Sequence, residues 1–235
     1  MENAAVLQSQ FIPERPGRFQ KMWEHSLIFR DTVESLIMIR NGIRQQNYQS
    51  LVFRKAVTRK DLENVFRLRY DEYMSGNYID PHKHLDIKER TDFDCQSLHF
   101  IAHHSRVIGG AKLVIGRTFP MDRIFPYLQK RRPLNSAELT RFIIKGEDPE
   151  DDELAVAFCA LMYEESTRAG IWDWFLAANG QTLALLDKLG IHYRILGAQR
   201  MYLGSRCQPA HIDLRSFGEF FRCYPSVNKI FQKKN

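Results

Sequence analysis

A carboxylate and a guanidinium stand three residues apart in an otherwise apolar or β-branched run, Ala137-Glu138-Leu139-Thr140-Arg141-Phe142-Ile143-Ile144. The run lies between the turn-forming Pro133-Leu134-Asn135-Ser136 and Gly146-Glu147-Asp148-Pro149, and it reads as a short strand. Burying a lone charge costs on the order of several kcal/mol, so ionisable groups in a core strand are paired, exposed at an edge or functional. On an ideal strand Glu138 and Thr140 face one side while Leu139 and Arg141 face the other. One β-bulge between Glu138 and Arg141 would turn both side chains to the same face, and bulges are frequent beside active sites. A bulge is therefore expected here, with Glu138 and Arg141 sharing a site.

The flanking periodicities define the rest of the chain. Residues 1–17, with Pro13 and Pro16, read as a loose arm. From Arg18, Met22, Phe29, Val33, Leu36, Ile37 and Ile39 recur at helical spacing up to a stop at Asn41-Gly42. Basic residues beside this amphipathic helix (Lys21, Arg30, Arg40, Arg44) allow peripheral contact with a membrane, and an apolar face can equally pack on its own domain. Leu51–Val57 reads as the first strand. Thr58 then caps a helix with apolar Leu62, Val65, Phe66, Leu68 and Tyr73, on which Arg69 and Tyr73 share a face at i, i+4. Ser75–Asp94 reads as a long polar loop, which compact domains keep for function. Ser97–Ala102 and Val107–Val114 form a hairpin, with Gly109-Gly110 marking a bulge or a close approach. After an irregular segment from Gly116 to Pro133 and the Glu138 strand come a helix (Leu154–Ala169, ended by Gly170), a strand (Trp172–Ala178) and a helix (Gln181–Lys188, ended by Gly190). Strands at Tyr193–Leu196 and Ala210–Leu214 and a short aromatic helix towards Tyr224 complete the chain. The order predicts an α+β fold: residues 1–50 as arm and helix, residues 51–235 as one domain with a mixed sheet.

Composition narrows the partners. With 235 residues, 44% hydrophobic and 26% charged, the chain can bury a core without staples. No run of eighteen or more apolar residues occurs, and Met1-Glu2-Asn3-Ala4-Ala5-Val6 does not resemble a signal peptide, so a cytoplasmic location is expected. The cysteines (Cys95, Cys159, Cys207, Cys223) are scattered without a Cys-x-x-Cys, which predicts reduced thiols. A net charge of +6 favours an acidic partner, and no nucleic-acid-binding signature accompanies it. His82-x-His84-x-Asp86 has ligand types at alternating positions but no second ligand group, so no metal site is expected; His99, His103 and His104 read as hairpin and turn residues. The acids Asp86, Glu89, Asp92 and Asp94 form either a solvated face or a cluster that holds Arg69 or a cationic amine.

Taken in order, Val65-Phe66-Arg67-Leu68-Arg69-Tyr70-x-x-Tyr73, the acids ending at Asp92-Phe93-Asp94, Ile108-Gly109-Gly110-Ala111-Lys112-Leu113-Val114 and Glu138-Leu139-Thr140-Arg141-Phe142 resemble the acyl-homoserine-lactone synthases and the related N-acyl amino acid synthases. Both are branches of the GNAT acyltransferase superfamily. The resemblance covers roughly residues 51–200. It implies a GNAT-like sheet flanked by helices and transfer of a fatty acyl group from an acyl carrier protein thioester, or acyl-CoA, to the α-amine of an amino acid, with no bound cofactor. Arg69, Tyr73, Asp92, Asp94 and Arg141 would then line the amine side of the cleft. Lys112 in place of the lactone synthases' usual arginine, the lack of a tryptophan after Tyr73 and the different spacing of the acids favour the N-acyl amino acid branch over S-adenosylmethionine use. The loop with which many GNAT enzymes hold coenzyme A is absent after Ile144, which favours a carrier-protein donor.

Chemistry then assigns roles. An α-ammonium group, pKa about 8, must lose a proton before attacking a thioester. Glu138 is the expected base, and N–H groups of a bulged strand are expected to stabilise the oxyanion. Arg69 and Arg141 suit a substrate carboxylate. Phe100, Leu113, Phe158 and Trp174, with Ile101, Ile115, Met162, Trp172 and Phe175, can wall an acyl pocket or simply form the core. Lys130, Arg131 and Arg132, or Arg194 and Arg200, could dock an acidic carrier. The competing readings are a lactone synthase and a non-catalytic binding module.

Overall fold

The structure is a computed structural model that describes residues 52–80, 87–103, 106–145, 151–218 and 220. The expected N-terminal arm and helix, the His82-x-His84-x-Asp86 motif and the tail beyond Phe220 lie outside the described residues. The strands are β1 (Val52–Lys55), β2 (Ser97–His103), β3 (Val107–Ile115), β4 (Ser136–Ile144), β5 (Asp173–Ala178), β6 (Arg194–Ile195), β7 (Arg200–Tyr202) and β8 (Ser205–Asp213). The helices are α1 (Arg59–Ser75), α2 (Asp151–Arg168) and α3 (Gly180–Leu189). Thr58 closes a capping box with Asp61 at the start of α1, and Gly190 ends α3 at φ 70°, a left-handed conformation that costs glycine little.

The sheet has the order β1-β2-β3-β4-β5-β8-β6, with β7 paired to β8. Every pairing is antiparallel except β4 with β5, which α2 connects as a crossover. This is the mixed sheet that the order of elements predicts, flanked by helices as the family resemblance implies. Its parallel pair is short: Ser136, Ala137 and Glu138 oppose Asp173, Trp174 and Phe175, after which the ladder ends while both strands continue. The sheet is therefore unpaired between the last two-thirds of β4 and the end of β5.

Helices α1 and α2 cover opposite faces. A Cβ on Gly109 would lie 2.8 Å from Phe158 of α2, and one on Gly110 would lie 3.4 Å from Leu68 of α1. These neighbouring glycines let helices approach β3 from both sides. On the α2 face Phe53, Phe100, Leu113, Ala137, Leu139, Phe158, Trp174 and Leu176 form the main core. A smaller cluster of Val114, Phe119, Met121, Phe125, Leu128 and Phe175 includes the segment before β4, which consists of 3-10 turns at Pro120–Arg123 and Pro126–Arg131. The main departure from the sequence reading is at the end of the chain. Strand β8 begins at Ser205 rather than Ala210 and pairs with an unforeseen β7, because Pro209 reads as a break but is accommodated within the strand.

Candidate active site

The expected bulge is present. Lys112 opposes Thr140 and Gly110 opposes Ile143, so Arg141 and Phe142 together face Ala111. Arg141 sits at φ 57°, the left-handed first position of such a bulge. The extra residue resets the alternation: Phe142 packs edge-on against Phe158 on the α2 face, while Glu138, Thr140 and Arg141 share the α1 face with Lys112.

On that face the charges are paired. The Arg69 Nη1 is 3.2 Å from Asp94 Oδ1, and its Nη2 is 2.7 Å from His99 Nδ1. Lys112 Nζ donates to Thr91 Oγ1 at 2.7 Å and to Asp94 Oδ1 at 2.8 Å. Arg141 donates through Nε (3.1 Å) and Nη2 (2.7 Å) to Glu89 Oε1, and its guanidinium lies 5.1 Å from the centre of the Tyr73 ring. Arg69, Glu89, His99, Lys112 and Arg141 are all buried. Asp94 is held well below the usual carboxylate range, at about 2: burial raises it, but Arg69, Lys112 and the Thr91 N–H together outweigh that effect. Burial pushes His99 down to about 4, so it is neutral at pH 7, and brings Lys112 down to about 8. Three cations (Arg69, Lys112, Arg141) thus face two carboxylates (Glu89, Asp94), and an ionised Glu138 beside them makes the charges equal.

Glu138 lies beside this cluster and is fully buried. Its Oε2 accepts from the Met121 N–H at 2.9 Å, and its Oε1 has no hydrogen-bond partner. Burial pushes the carboxyl up to about 8; the Met121 N–H and the charge of Arg141 oppose that shift without cancelling it. The second unpartnered buried oxygen next to Arg141 is Glu89 Oε2, 3.9 Å from Arg69 Nη1.

Where β4 and β5 are unpaired, a cavity of about 450 Å³ opens. Its apolar wall includes Leu139, Phe142 and Ile144 of β4, Cys159 of α2, Leu176 of β5 and Leu185, Leu186 and Leu189 of α3. Its polar lining includes Tyr73, Tyr78, Thr140, Arg141 and Tyr202.

The structure sorts the residues singled out by sequence. Glu138, Arg69, Asp94 and Arg141 are brought together, and Tyr73 and Arg141 reach the cavity. Asp92 does not join them: its side chain is 86% exposed and pairs with Arg123 at 3.1 Å on the surface. Phe100, Leu113, Phe158 and Trp174 lie in the core and do not line the cavity. Arg132 is tied to Asp122 at 2.7 Å and stacked 3.8 Å from the centre of the Phe119 ring, unlike the exposed Lys130 and Arg131. Sequence reasoning missed Tyr202, because β7 is only Arg200–Tyr202 long. It also read His99 as a hairpin residue, although a histidine on a strand opposite Lys112 could have signalled a polar cluster.

A split parallel strand pair beside a bulged strand that holds a buried carboxylate gives the sheet a GNAT-like form, and the sequence match below makes the chain an acyltransferase that forms N-acyl compounds. The family model described as N-acyl amino acid synthase FeeM matches residues 64–212, and the chain belongs to that family. No curated protein matches the sequence. Among solved structures, the chain is similar to FeeM, an N-acyl amino acid synthase from uncultured soil microbes, with 16% identity over 70% of this chain and 92% of that one and a TM-score of 0.54. It is also similar to the acyl-homoserine-lactone synthase LasI, with 14% identity over 70% and 90% and a TM-score of 0.57. The CoA-dependent lactone synthase BjaI is 21% identical over 77% and 87%, again with a TM-score of 0.57. These likenesses extend the fold assignment to the lactone synthases.

Proposed function

We propose that this protein transfers a fatty acyl group from an acyl carrier protein thioester to the α-amine of an amino acid, with Glu138 as the base. The observation that carries the reading is a buried cluster of charged and unpartnered groups that reaches the wall of a cavity through Arg141. The Arg141 guanidinium on the cavity wall suits a substrate carboxylate, and behind it buried carboxyl oxygens of Glu89 and Glu138 lack hydrogen-bond partners, which suits an amine or a water that carries its proton. A zwitterionic amino acid carries both groups. The cavity between β4 and α3 takes the acyl chain, in place of the core residues that the sequence suggested.

The reaction follows from these positions. The Glu138 carboxylate, which does not itself line the cavity, receives a proton from the substrate ammonium through a water, and the freed lone pair attacks the thioester carbonyl carbon. Beyond Glu138 and Phe175 the two strands no longer pair, so N–H groups of the bulged β4 are available to the developing oxyanion. Collapse expels the thiolate, which takes the second nitrogen proton, leaving an amide and a free thiol.

A carrier-protein donor is supported by the exposed Lys130, Arg131, Arg194 and Arg206 and by the exposed apolar Ile195 and Met201 on the adjoining strands. The test is to incubate the purified protein with dodecanoyl carrier protein, or with dodecanoyl-CoA, and pooled proteinogenic amino acids, and to look for amides by mass spectrometry. An N-dodecanoyl amino acid formed with the carrier protein supports the reading. A lactone formed only when S-adenosylmethionine replaces the pool, or no amide with any amine, overturns it.

A further inference from the structure

Of the basic run Lys130-Arg131-Arg132, the third residue is turned inward: its side chain is 3% exposed. The guanidinium closes a two-pronged pair with Asp122, Nη1 to Oδ1 at 2.8 Å and Nη2 to Oδ2 at 2.7 Å, and Nη2 also donates to the Arg117 carbonyl at 3.1 Å. It lies over the Phe119 ring and 5.8 Å from the centre of the Phe175 ring, Phe175 being the residue opposite Glu138 in the parallel pair. A buried ion pair is often no more stable than apolar residues of the same volume, so stability alone does not account for this one.

What the pair holds leads to Glu138. Asp122 Oδ2 also accepts the Phe119 N–H at 2.8 Å, and the Asp122 N–H returns to the Phe119 carbonyl at 3.0 Å, which closes the 3-10 turn Pro120–Arg123. Met121 stands inside that turn. Its N–H, left over by the turn's own bonding, donates to Glu138 Oε2 at 2.9 Å. Arg132, Asp122, the turn and Glu138 thus form one continuous chain of contacts. A hydrogen bond donated to one carboxylate oxygen stabilises charge there, so the unpartnered Oε1 is the oxygen that accepts a proton more readily.

We propose that Arg132 is a positioning residue for Glu138: through Asp122 it fixes the Met121 turn, which keeps the N–H on Oε2 and leaves Oε1 to take the acceptor's proton. This rests on the acyltransferase reading above and adds no step to the reaction written there. Without the clamp the turn relaxes, the Met121 N–H leaves the carboxylate, and the carboxyl rises further above about 8. The other charged or titratable groups that act on Glu138 are Arg141 on β4, Lys112 on β3, Tyr202 on β7 and Asp122 itself.

The test compares two variants. Arg132→Met removes both fork and charge, whereas Arg132→Lys keeps the charge and loses the fork, which separates position from electrostatics. The full chain is isotope-labelled at the glutamate carboxyl carbons and titrated by NMR, the Glu138 signal being the one missing from Glu138→Gln. Both variants should move its midpoint up by about one pH unit or more, and exchange of the Met121 amide should quicken by roughly tenfold or more. With dodecanoyl carrier protein and the amino acid that the wild type consumes, the rise in kcat/KM should move to higher pH by the same amount, with the acceptor KM changed by no more than about twofold. A fall in rate at every pH with an unmoved midpoint means that Arg132 only supports the fold, and it overturns the proposal. So does a midpoint that moves in Arg132→Met alone, since the effect is then one of charge. Should the methionine variant not fold, the lysine variant decides by itself. A midpoint that moves while the pH–rate profile stays also overturns the positioning role. A wild type that forms no amide defeats the acyltransferase reading, and the Glu138 titration then still tests the clamp on its own.

Discussion

Glu138 combines the lack of a hydrogen bond at Oε1 with complete burial, and both push its carboxyl towards the neutral form, to about 8. That value suits a base that must deprotonate an amine near neutral pH, because a weaker base would not accept the proton and a stronger one would stay protonated. The pH profile of kcat/KM should therefore rise through about 8 in the wild type. Glu138→Gln should lose roughly 10²- to 10⁴-fold in kcat and also lose that rise. Retention of the rise in the glutamine variant would assign it to another group. The same residue makes a prediction about stability. Its pKa is higher folded than its usual 4.5, so between 4.5 and about 8 the native state holds a proton that the unfolded chain has released. Stability from this group is complete at low pH and falls as pH rises through that window. Glu138→Gln should thus be more stable than the wild type by on the order of a few kcal/mol at pH 8, and the gap should close towards pH 4.5. Urea denaturation at several pH values measures this, and a gap that is constant with pH contradicts it.

At the scale of elements, β3 and β4 form the site only because two helices can press on β3 from opposite sides. Gly109→Ala would set a Cβ 2.8 Å from Phe158 and 3.2 Å from the Ile143 carbonyl, so either α2 or the bulged end of β4 must shift. Overpacking of this kind costs typically about 1–3 kcal/mol, which should lower the urea midpoint with an unchanged m-value. Gly110→Ala meets only Leu68 and Val65 side chains at 3.4 Å or more and the Phe100 carbonyl at 3.7 Å, so its effect should be smaller. Equal losses at the two positions would show that space is not what these glycines provide. This region also shows what was legible in the sequence. Two charges in an apolar strand predicted the bulge, because only a change of face gives Glu138 and Arg141 a common environment. The glycine pair predicted close approach. The cavity wall was not legible, because Phe100 and Leu139 are equally apolar in sequence, and only the end of the β4–β5 ladder decides which of them meets a cavity. Tyr202 was hidden for a related reason: three-residue β7 is held by its pairing with β8 and by the close approach of the Asn77 carbonyl to Gly204, neither of which has a local signature.

The chain has a net charge of +6, and among the described residues its cations divide into buried and exposed sets. Buried cations are matched by Glu89 and Asp94 to within one charge, and Arg132 is satisfied by Asp122. The cations exposed near the cavity strands, Arg194 and Arg206 with Lys130 and Arg131 on the segment before β4, are those free to meet an acidic partner. Ile195 on β6 is 39% exposed and Met201 on β7, which pairs with β8, is 60% exposed, so the surface offers apolar contact beside these cations, as a carrier protein would require. Charge reversal separates the two donors. With a carrier-protein thioester, combining Arg194→Glu, Arg206→Glu and Lys130→Glu should raise the donor KM by roughly tenfold or more and leave kcat nearly unchanged, because surface charges govern encounter more than chemistry. The wild-type KM for the carrier should also rise with salt, since exposed charges are screened within about 10 Å at 0.1 M ionic strength. Dodecanoyl-CoA, a small donor that does not need the protein surface, should be used by the triple variant within about threefold of wild type. If the variant loses both donors equally, these arginines and the lysine support the fold or bind the nucleotide part of coenzyme A. If it loses neither, the carrier docks elsewhere.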